Sequence, residues 1–225
     1  TKEREDLLRQ RNALVKKMLS GSDLCLSPSH DLMERFRDFS ESNIEHCPLP
    51  LMRPLPDRSS APTGIIFIGS IIPTKGLHVL LRALALLEDP PQLTIIGGRS
   101  ATPSWPNYGK QCRALAEQLE CRWLGHVEHD EVLKELACHK LLVLPSLWPE
   151  NSPLVVREAT GLGLHVIGST IGGAAELSTS AHQVRPNDSK MLANTICLAL
   201  DSKPAEVLQW PSLESHCMML VNRYR

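Results

Sequence analysis

The sequence predicts an α/β fold in which a parallel sheet carries helices on both faces. After residue 62, short apolar runs rich in isoleucine, valine and leucine alternate with longer helical patterns. Strands of parallel sheets are apolar on both sides, because helices cover both faces of such a sheet. Repeated strand–helix units connect parallel strands by right-handed crossovers. The 225 residues therefore suffice for one filled α/β domain and part of a second.

The amino-terminal residues 1–46 predict a helix, a strand and a second helix. Residues 1–19 carry leucine and methionine at the helical period, and Gly21 is placed to end that helix. The run DLCLS at 23–27 predicts a short buried strand. Asp31 is then placed to cap a helix that extends to about residue 39.

Residues 47–62 are rich in proline, with Pro48, Pro50, Pro54, Pro56 and Pro62. Proline lacks an amide N–H and fixes φ, so this stretch is excluded from a central strand or a helix interior. We interpret 47–62 as an interdomain linker and 63–225 as the main domain.

The main domain predicts strands and helices in alternation. Four-residue runs of β-branched and apolar residues, such as IIFI, predict doubly covered strands, and the nearly all-apolar segment from Leu77 predicts a buried helix. The predicted strands are 65–68, 93–96, 122–124, 141–144, 164–167 and 183–185. The predicted helices are 77–87, 108–119, 130–138, 153–162, 188–200 and 204–224.

Composition excludes several classes of protein. Lys and Arg number 24 and Asp and Glu number 25, so no broad positive field is present to hold nucleic acid. No apolar run approaches the roughly 18 residues that span a bilayer, and the first residues lack the apolar region of a signal peptide. Seven scattered cysteines without a CxxC argue against a disulfide framework or a zinc site. We expect reduced, mostly buried thiols, no bound metal and a cytoplasmic location.

Four loops follow predicted strands and are expected to meet at one edge of the sheet. They span 69–76 (GSIIPTKG), 97–103 (GGRSATP), 125–130 (GHVEHD) and 145–152. Ligands of open α/β sheets bind beyond the carboxyl ends of the strands. Lys75 opens a helix, where a cation is unfavourable, and this predicts an anionic ligand nearby; a solvated surface lysine is the alternative.

Two carboxylates, Glu150 and Glu158, lie eight positions apart around the start of a helix. Periodicity places Glu158 near apolar neighbours in LVVREATGL, where a bare carboxylate is costly. A ribose diol would offer two hydroxyl donors to such a carboxylate. The alternative is a structural ion pair with Arg157 or Lys75.

The segment PSLWPENSPLVVREATGLGLHVIGSTIGGAAE, residues 145–176, resembles the donor-binding motif of retaining glycosyltransferases of the GT-B fold, the glycosyl transferases group 1 family. The loop 69–76, the turn LGHV at 124–127 and GGAAE at 172–176 also resemble motifs of this family. The resemblance covers roughly 64–200. It implies a Rossmann-like carboxy-terminal lobe, with residues 1–46 as a remnant of the amino-terminal lobe and the tail as a closing helix.

The resemblance also implies roles for particular residues. Lys75 would contact the donor diphosphate, and Ser70 stands where the family often has an arginine. Glu158 would bind the ribose, whereas Glu150 would orient the transferred sugar. Glu150 and Lys75 are the candidate catalytic residues. The remaining donor-binding candidates are Gly97, Gly98 and Arg99 beside the nucleoside, His126 and Val127 at the base, Asn151, Ser152, Pro153 and Leu154 at the sugar and phosphates, and Gly172 and Gly173 in a loop that closes on the donor. Glu176 is expected to cap or pair locally, with a site role as the alternative.

The function implied is transfer of a sugar, with retention, from a UDP- or GDP-linked donor and without a cofactor. The acceptor, a carbohydrate, a lipid-linked molecule or a small molecule, would be bound mainly by the other lobe. The alternatives are a non-catalytic nucleotide-sugar-binding module and another GT-B enzyme such as a sugar-nucleotide epimerase. Residues 1–19 are expected to pack on the other lobe, and peripheral contact with the inner membrane surface is the alternative.

Overall fold

The structure, a computed structural model, describes residues 2–98, 105–178 and 182–224. The chain divides into two compact units, Thr1–Leu49 and Pro50–Arg225. The division falls inside the proline-rich segment that the sequence analysis interprets as a linker.

The first unit contains two helices and a two-stranded parallel sheet. Its elements are α1 (Lys2–Ser20), β1 (Cys25–Ser27), α2 (His30–Phe39) and β2 (Ile44–His46). The strand β2 is not predicted from the sequence, because three residues are too few to show the alternation of apolar and polar side chains that is typical of a strand. The α2 cap is Ser29, whose Oγ accepts a hydrogen bond from Leu32 N at 3.2 Å, and the expectation that Asp31 serves as this cap is wrong.

The second unit is built on a six-stranded sheet in which every neighbouring pair of strands is parallel. Its strands are β3 (Ile65–Ile68), β4 (Leu93–Ile96), β5 (Cys121–Gly125), β6 (Leu141–Leu144), β7 (His165–Ser169) and β8 (Gln183–Val184). Its α-helices are α3 (Leu77–Leu84), α4 (Tyr108–Leu115), α5 (His129–Cys138), α6 (Leu154–Gly161), α7 (Gly173–Leu177), α8 (Ser189–Asp201) and α9 (Leu213–Arg223). The predicted fold class, a parallel sheet with helices on both faces, is confirmed.

Helices cover the sheet on both faces because each face has its own apolar cluster. On one face α3, α4 and α8 pack on Ile65, Phe67 and Val143. On the other face α5 and α6 pack on Ile66 and Leu142. Alternate residues of one strand therefore point into different clusters, and this explains why β3 and β6 are apolar throughout.

The strand order β5-β4-β3-β6-β7-β8 places a topological switch point between β3 and β6. The chain leaves β3 through α3 toward β4, and it leaves β6 through α6 toward β7 in the opposite direction along the sheet. The loops after these two strands thus diverge, which leaves room for a ligand at their carboxyl ends.

The structure corrects several predicted helix bounds. The helices α3 and α4 end at Leu84 and Leu115, three and four residues before their predicted ends, because the apolar pattern continues into turns. The helix α7 was missed, and residues 204–212 are not helical. In that segment Leu208 N donates to Thr160 O at 3.0 Å and the Trp210 indole N–H donates to Thr160 Oγ1 at 3.1 Å.

Residues 50–62 hydrogen-bond within the second unit. The Ser59 and Thr63 amides donate to the Ala137 and Cys138 carbonyls, both at 3.0 Å. Arg58 Nη1 donates to the Leu162 carbonyl at 2.6 Å, at the end of α6. The prolines of this stretch therefore belong to a segment that hydrogen-bonds to carbonyl groups at the ends of α5 and α6.

Among the described residues, no helix is long and apolar enough to cross a membrane. All seven cysteines are free thiols. Only Cys47 and Cys112 are buried, whereas three others, Cys138, Cys197 and Cys217, are exposed. The expectation of mostly buried thiols is therefore wrong, because several thiols lie on outer faces or ends of helices.

Replacement of Gly76 by alanine is expected to destabilise the chain more than the same change at Gly125. Both glycines have a positive φ, +73° and +70°, which costs alanine about 1 kcal/mol. A Cβ at Gly76 would also lie 1.9 Å from the Pro145 carbonyl oxygen, whereas one at Gly125 meets nothing within 4 Å. This overlap adds about 1–3 kcal/mol. Denaturant unfolding of the two variants measures the difference, and equal losses would contradict the argument.

Candidate functional site

The loops after β3 and β6 are packed against each other at the switch point. Leu147 N donates to the Thr74 carbonyl at 2.8 Å. Gly76 lies so close to Pro145 that no side chain fits between them. Because the backbones touch, the side chains that leave these two loops at the same edge are brought together. Lys75 and Glu150 are the charged residues of that junction.

Lys75 and Glu150 form an ion pair in which the ammonium contacts both carboxylate oxygens. Lys75 Nζ lies 2.7 Å from Oε1 and 2.9 Å from Oε2. The side chains are 31% and 17% exposed, so the pair is partly shielded and still reachable from solvent. The sequence analysis predicted both residues for the site, and the structure shows that they contact each other.

Two serines that the sequence analysis missed orient Glu150. Ser146 Oγ donates to Glu150 Oε1 at 2.9 Å. Ser169, at the end of β7, donates its hydroxyl to the Ser146 carbonyl at 2.7 Å and is buried. Their positions in the sequence could have indicated this role, because Ser146 follows β6 and Ser169 ends β7. These two strands are neighbours in the sheet. The carboxylate thus takes hydrogen bonds from Lys75 and Ser146 and has a fixed direction.

The loop after β7 passes directly over the backbone of Glu150. Gly173 N donates to the Glu150 carbonyl at 2.6 Å, and a Cβ on Gly172 would lie 2.6 Å from the Glu150 amide nitrogen. Gly172 has φ +75°, which glycine adopts at no steric cost. The two glycines therefore allow the loop after β7 to contact the Glu150 backbone. Glu176 follows them in the first turn of α7.

On the other side of β3, glycines bring two further loops against the loop after β3. Gly97 N donates to the Gly125 carbonyl at 2.7 Å, and Ile71 N donates to the Gly98 carbonyl at 3.0 Å. A Cβ on Gly97 would lie 1.9 Å from the Gly69 carbonyl oxygen. The loops after β3, β4 and β5 are therefore adjacent at one edge of the sheet.

The remaining predicted residues of these loops differ in exposure. Ser70 and His126 are exposed, and His126 lies beside Gly98. Val127 is partly buried and packs on the cluster formed by α5 and α6. Arg99 lies outside the described residues.

The helix α6 begins just after Glu150 without a side-chain cap. Pro153 occupies the N-cap position and Leu154 is the first helical residue. Asn151 is exposed and Ser152 is half-buried ahead of them. Within the described residues, no side chain accepts a hydrogen bond from the first backbone N–H groups of this helix. The positive end of the helix dipole lies beside Glu150.

Glu158 lies inside α6 and is 5% exposed. His129 Nε2, at the start of α5, lies 2.9 Å from Glu158 Oε1, although the ring is not aligned for a hydrogen bond. Burial raises the pKa of Glu158, and the nearby imidazole opposes that rise. The alternative partners considered from the sequence, Arg157 and Lys75, are wrong, because α5 brings His129 to the edge of the sheet.

The described residues contain no cluster of three or more His, Cys, Asp or Glu side chains that could hold a metal ion.

Comparison with known proteins finds similar sequences for most of the chain. The family model of glycosyl transferases group 1 matches residues 57–209, which is more than half of the chain. The chain is 28% identical over 183 residues to TuaC of Bacillus subtilis, named as a teichuronic acid biosynthesis glycosyltransferase. It is 28% identical over 151 residues to a glycogen synthase of Mycobacterium tuberculosis. The chain matches 42% of the length of TuaC and 36% of that of the glycogen synthase.

Solved structures show the same fold. HepE of Anabaena, determined in complex with UDP, superposes with a TM-score of 0.84 at 17% identity, over 96% of this chain and 67% of HepE. Sucrose-phosphate synthase of Thermosynechococcus elongatus superposes with a TM-score of 0.81 at 22% identity, over 96% of this chain and 61% of the synthase.

Substitution of Glu158 by glutamine is expected to stabilise the chain increasingly as pH rises. Burial holds the folded pKa of Glu158 above its ordinary value of 4.5. The carboxyl therefore contributes its full stability below that value and loses it as pH rises through the folded pKa. Thermal unfolding from about pH 4 to about pH 7 compares the variant with the wild type. The exposed Glu131, substituted in the same way, controls for loss of one charge, and a difference independent of pH would contradict the prediction.

Proposed function

The chain belongs to the glycosyl transferases group 1 family, and we propose that it is the donor-binding half of a retaining glycosyltransferase. Its substrate is a nucleoside diphosphate sugar, from which a hexosyl group passes to an acceptor. The observation that supports this most is the Lys75–Glu150 pair at the switch point beside the open start of α6. It puts a cation, a carboxylate and free N–H groups within one small region.

The leaving group of such a reaction is a nucleoside diphosphate, which gains negative charge as the glycosidic bond breaks. Preorganised cations and N–H donors lower the energy of that state. In this chain Lys75 and the first N–H groups of α6 are the groups suited to the diphosphate. We assign Asn151, Ser152 and Leu154 to that contact through their backbones.

Glu150 has the direction required to hold the transferred sugar. Its carboxylate accepts hydrogen bonds from Lys75 and Ser146 and retains lone pairs for the hydroxyls of a sugar. When a diphosphate arrives, Lys75 shares its three N–H bonds between the phosphate and the carboxylate. The ion pair thus keeps both side chains in place before the donor binds.

Glu158 is assigned to the ribose and the loop 125–127 to the base. A buried carboxylate with one poorly aligned partner gains by accepting hydrogen bonds from a diol. HepE, which shares the fold, was solved with UDP and glucose, and this supports a UDP-linked donor. A GDP-linked donor is the alternative that the same contacts accept.

The acceptor is proposed to bind outside the residues of this chain, which spans less than half of the curated relatives above. The name of TuaC supports a polysaccharide as the product. We place the reaction in the cytoplasm, at the inner membrane surface where the acceptor is lipid-linked.

A non-catalytic module that binds nucleotide sugars is the second candidate, and Ser70 favours it. Lys75 is the one basic residue of the loop 69–76. This loop would therefore contribute one cation to diphosphate binding instead of two. Binding can survive this loss where rapid transfer does not.

Loss of Lys75 or Glu158 is expected to weaken donor binding at least tenfold, because each removes one charged or hydrogen-bonded contact of about 1.5–3 kcal/mol. Calorimetry with UDP-glucose and GDP-mannose compares the wild type with Lys75→Ala and Glu158→Ala. Lys140→Ala, at the opposite edge of the sheet, is the matched control and should bind as the wild type does. Unchanged affinity in both site variants would refute the assignment of the donor site.

A fusion of this chain with the part of TuaC that it does not match is expected to transfer sugar with retention. Glu150→Gln should lower kcat about a hundredfold, because the amide no longer pairs with Lys75 and binds sugar hydroxyls less strongly. The assay resolves the anomeric configuration of the product.

Three results separate the candidates in that assay. Binding without transfer would favour the non-catalytic module. Conversion of UDP-GlcNAc without an acceptor would favour an epimerase. A product of inverted configuration would exclude a retaining enzyme.

A further inference from the structure

Arg157 is a buried cation that the donor contacts above do not use. It lies on α6 next to Glu158, and 2% of its surface is exposed. Arginine is almost never fully buried unless a carboxylate or another strong acceptor pairs with it. Within the described residues Arg157 forms no salt bridge. Its burial therefore calls for an explanation.

The contacts of the guanidinium leave part of it unsatisfied. Nη2 donates to Ser152 Oγ at 3.0 Å, and Cζ lies 4.4 Å from the centre of the Trp210 ring. Nε and Nη1 are buried and have no hydrogen-bond partner among the described residues. Burial lowers the pKa of Arg157, and the carboxylate of Glu176 acts in the opposite direction at longer range. Among the described residues, the guanidinium thus has no directly bonded carboxylate.

The hydrogen bond to Ser152 fixes where this charge acts. Ser152 lies two residues after Glu150 and directly before the N-cap of α6, in the loop assigned to the diphosphate. The guanidinium therefore lies behind that loop and close to the open helix start. Water screens a buried charge less than an exposed one, so its field reaches the loop surface. An anion bound there would offset the cost of burying the cation.

We infer that Arg157 is a positioning residue that supplies a second positive charge to the bound diphosphate through Ser152, in addition to Lys75. This inference rests on the proposed function, because it concerns the same donor site. It explains why the loop 69–76 has one basic residue and no arginine. It also predicts that this site discriminates a nucleoside diphosphate from a monophosphate more strongly than Lys75 alone allows.

A purely structural role is the competing explanation. Arg157 packs on Trp210, and Trp210 helps to hold residues 204–212 against Thr160. An apolar side chain of similar length would pack there without the cost of a buried charge. In the first explanation, the charge of residue 157 strengthens diphosphate binding. In the second, only the volume of its side chain contributes, and it contributes to stability.

The test measures dissociation constants for UDP and UMP, with GDP and GMP in parallel. Arg157→Met keeps the packing and removes the charge, Arg157→Lys keeps the charge, and Ser152→Ala removes the hydrogen bond. Lys140→Met removes one charge at the opposite edge of the sheet as the matched control. Trp210→Leu tests the loss of packing with the charge retained.

We expect Arg157→Met to weaken UDP binding about tenfold and UMP binding much less, because the second phosphate adds negative charge that the cation attracts. Arg157→Lys should restore most of the UDP affinity. Ser152→Ala should lower the preference for UDP, whereas Lys140→Met and Trp210→Leu should leave it unchanged.

Two results overturn the inference in different ways. If Arg157→Met loses thermal stability but keeps the wild-type ratio of UMP to UDP dissociation constants, the residue is structural and the proposed donor site survives. If Arg157→Met does not fold, an unchanged ratio of UMP to UDP dissociation constants in Ser152→Ala has the same meaning. If the wild type binds none of the nucleotides, the proposed function fails and this inference fails with it.

Discussion

The close approach of the loops after β3 and β6 is the constraint on which the site depends. Gly76 lies against the Pro145 carbonyl, and the Thr74 carbonyl accepts a hydrogen bond from Leu147 N. Two loops that diverge from adjacent parallel strands would otherwise leave their side chains apart. Backbone contact at the switch point shortens that gap to the 2.7 Å between Lys75 and Glu150. The Lys75–Glu150 ion pair is therefore a consequence of glycine placement and strand order.

Strand positions were predictable because burial on both faces leaves a direct trace in the sequence. The bounds of β3, β4 and β6 are those predicted, since each is a run of four apolar residues or of apolar residues with one threonine. Helix ends were less predictable. The apolar pattern that began α3 continues past Leu84 into a turn, where it packs on the core without helical hydrogen bonds. The spacing of apolar residues indicates which side chains are buried. Side chains that follow the last helical residue can be buried as well, so this spacing does not locate the end of a helix.

Site residues were predictable where one loop carries them and unpredictable where two distant elements meet. Lys75 and Glu150 stand out because their loops follow strands. The Glu158 partner, His129, depends on how α5 lies beside α6, and the role of Ser169 depends on β7 lying beside β6. No local pattern contains these distances. The same holds for Gly172, which is predicted to lie in a loop that closes on the donor. In the structure, its lack of a side chain allows the Glu150 backbone to approach closely.

The helix α6 buries two opposite charges in neighbouring positions, Arg157 and Glu158, and pairs neither with the other. Successive helical residues point about 100° apart, so the two side chains leave in different directions. Glu158 faces His129, and Arg157 faces Ser152 and Trp210. A helix selected for stability alone would replace both with apolar residues. The cost is understandable if a ligand at the start of α6 satisfies both groups, with hydroxyl donors for the carboxylate and negative charge for the guanidinium. Donor binding would then offset the free-energy cost of burying these two charges, and it would raise the free energy of unfolding of the chain.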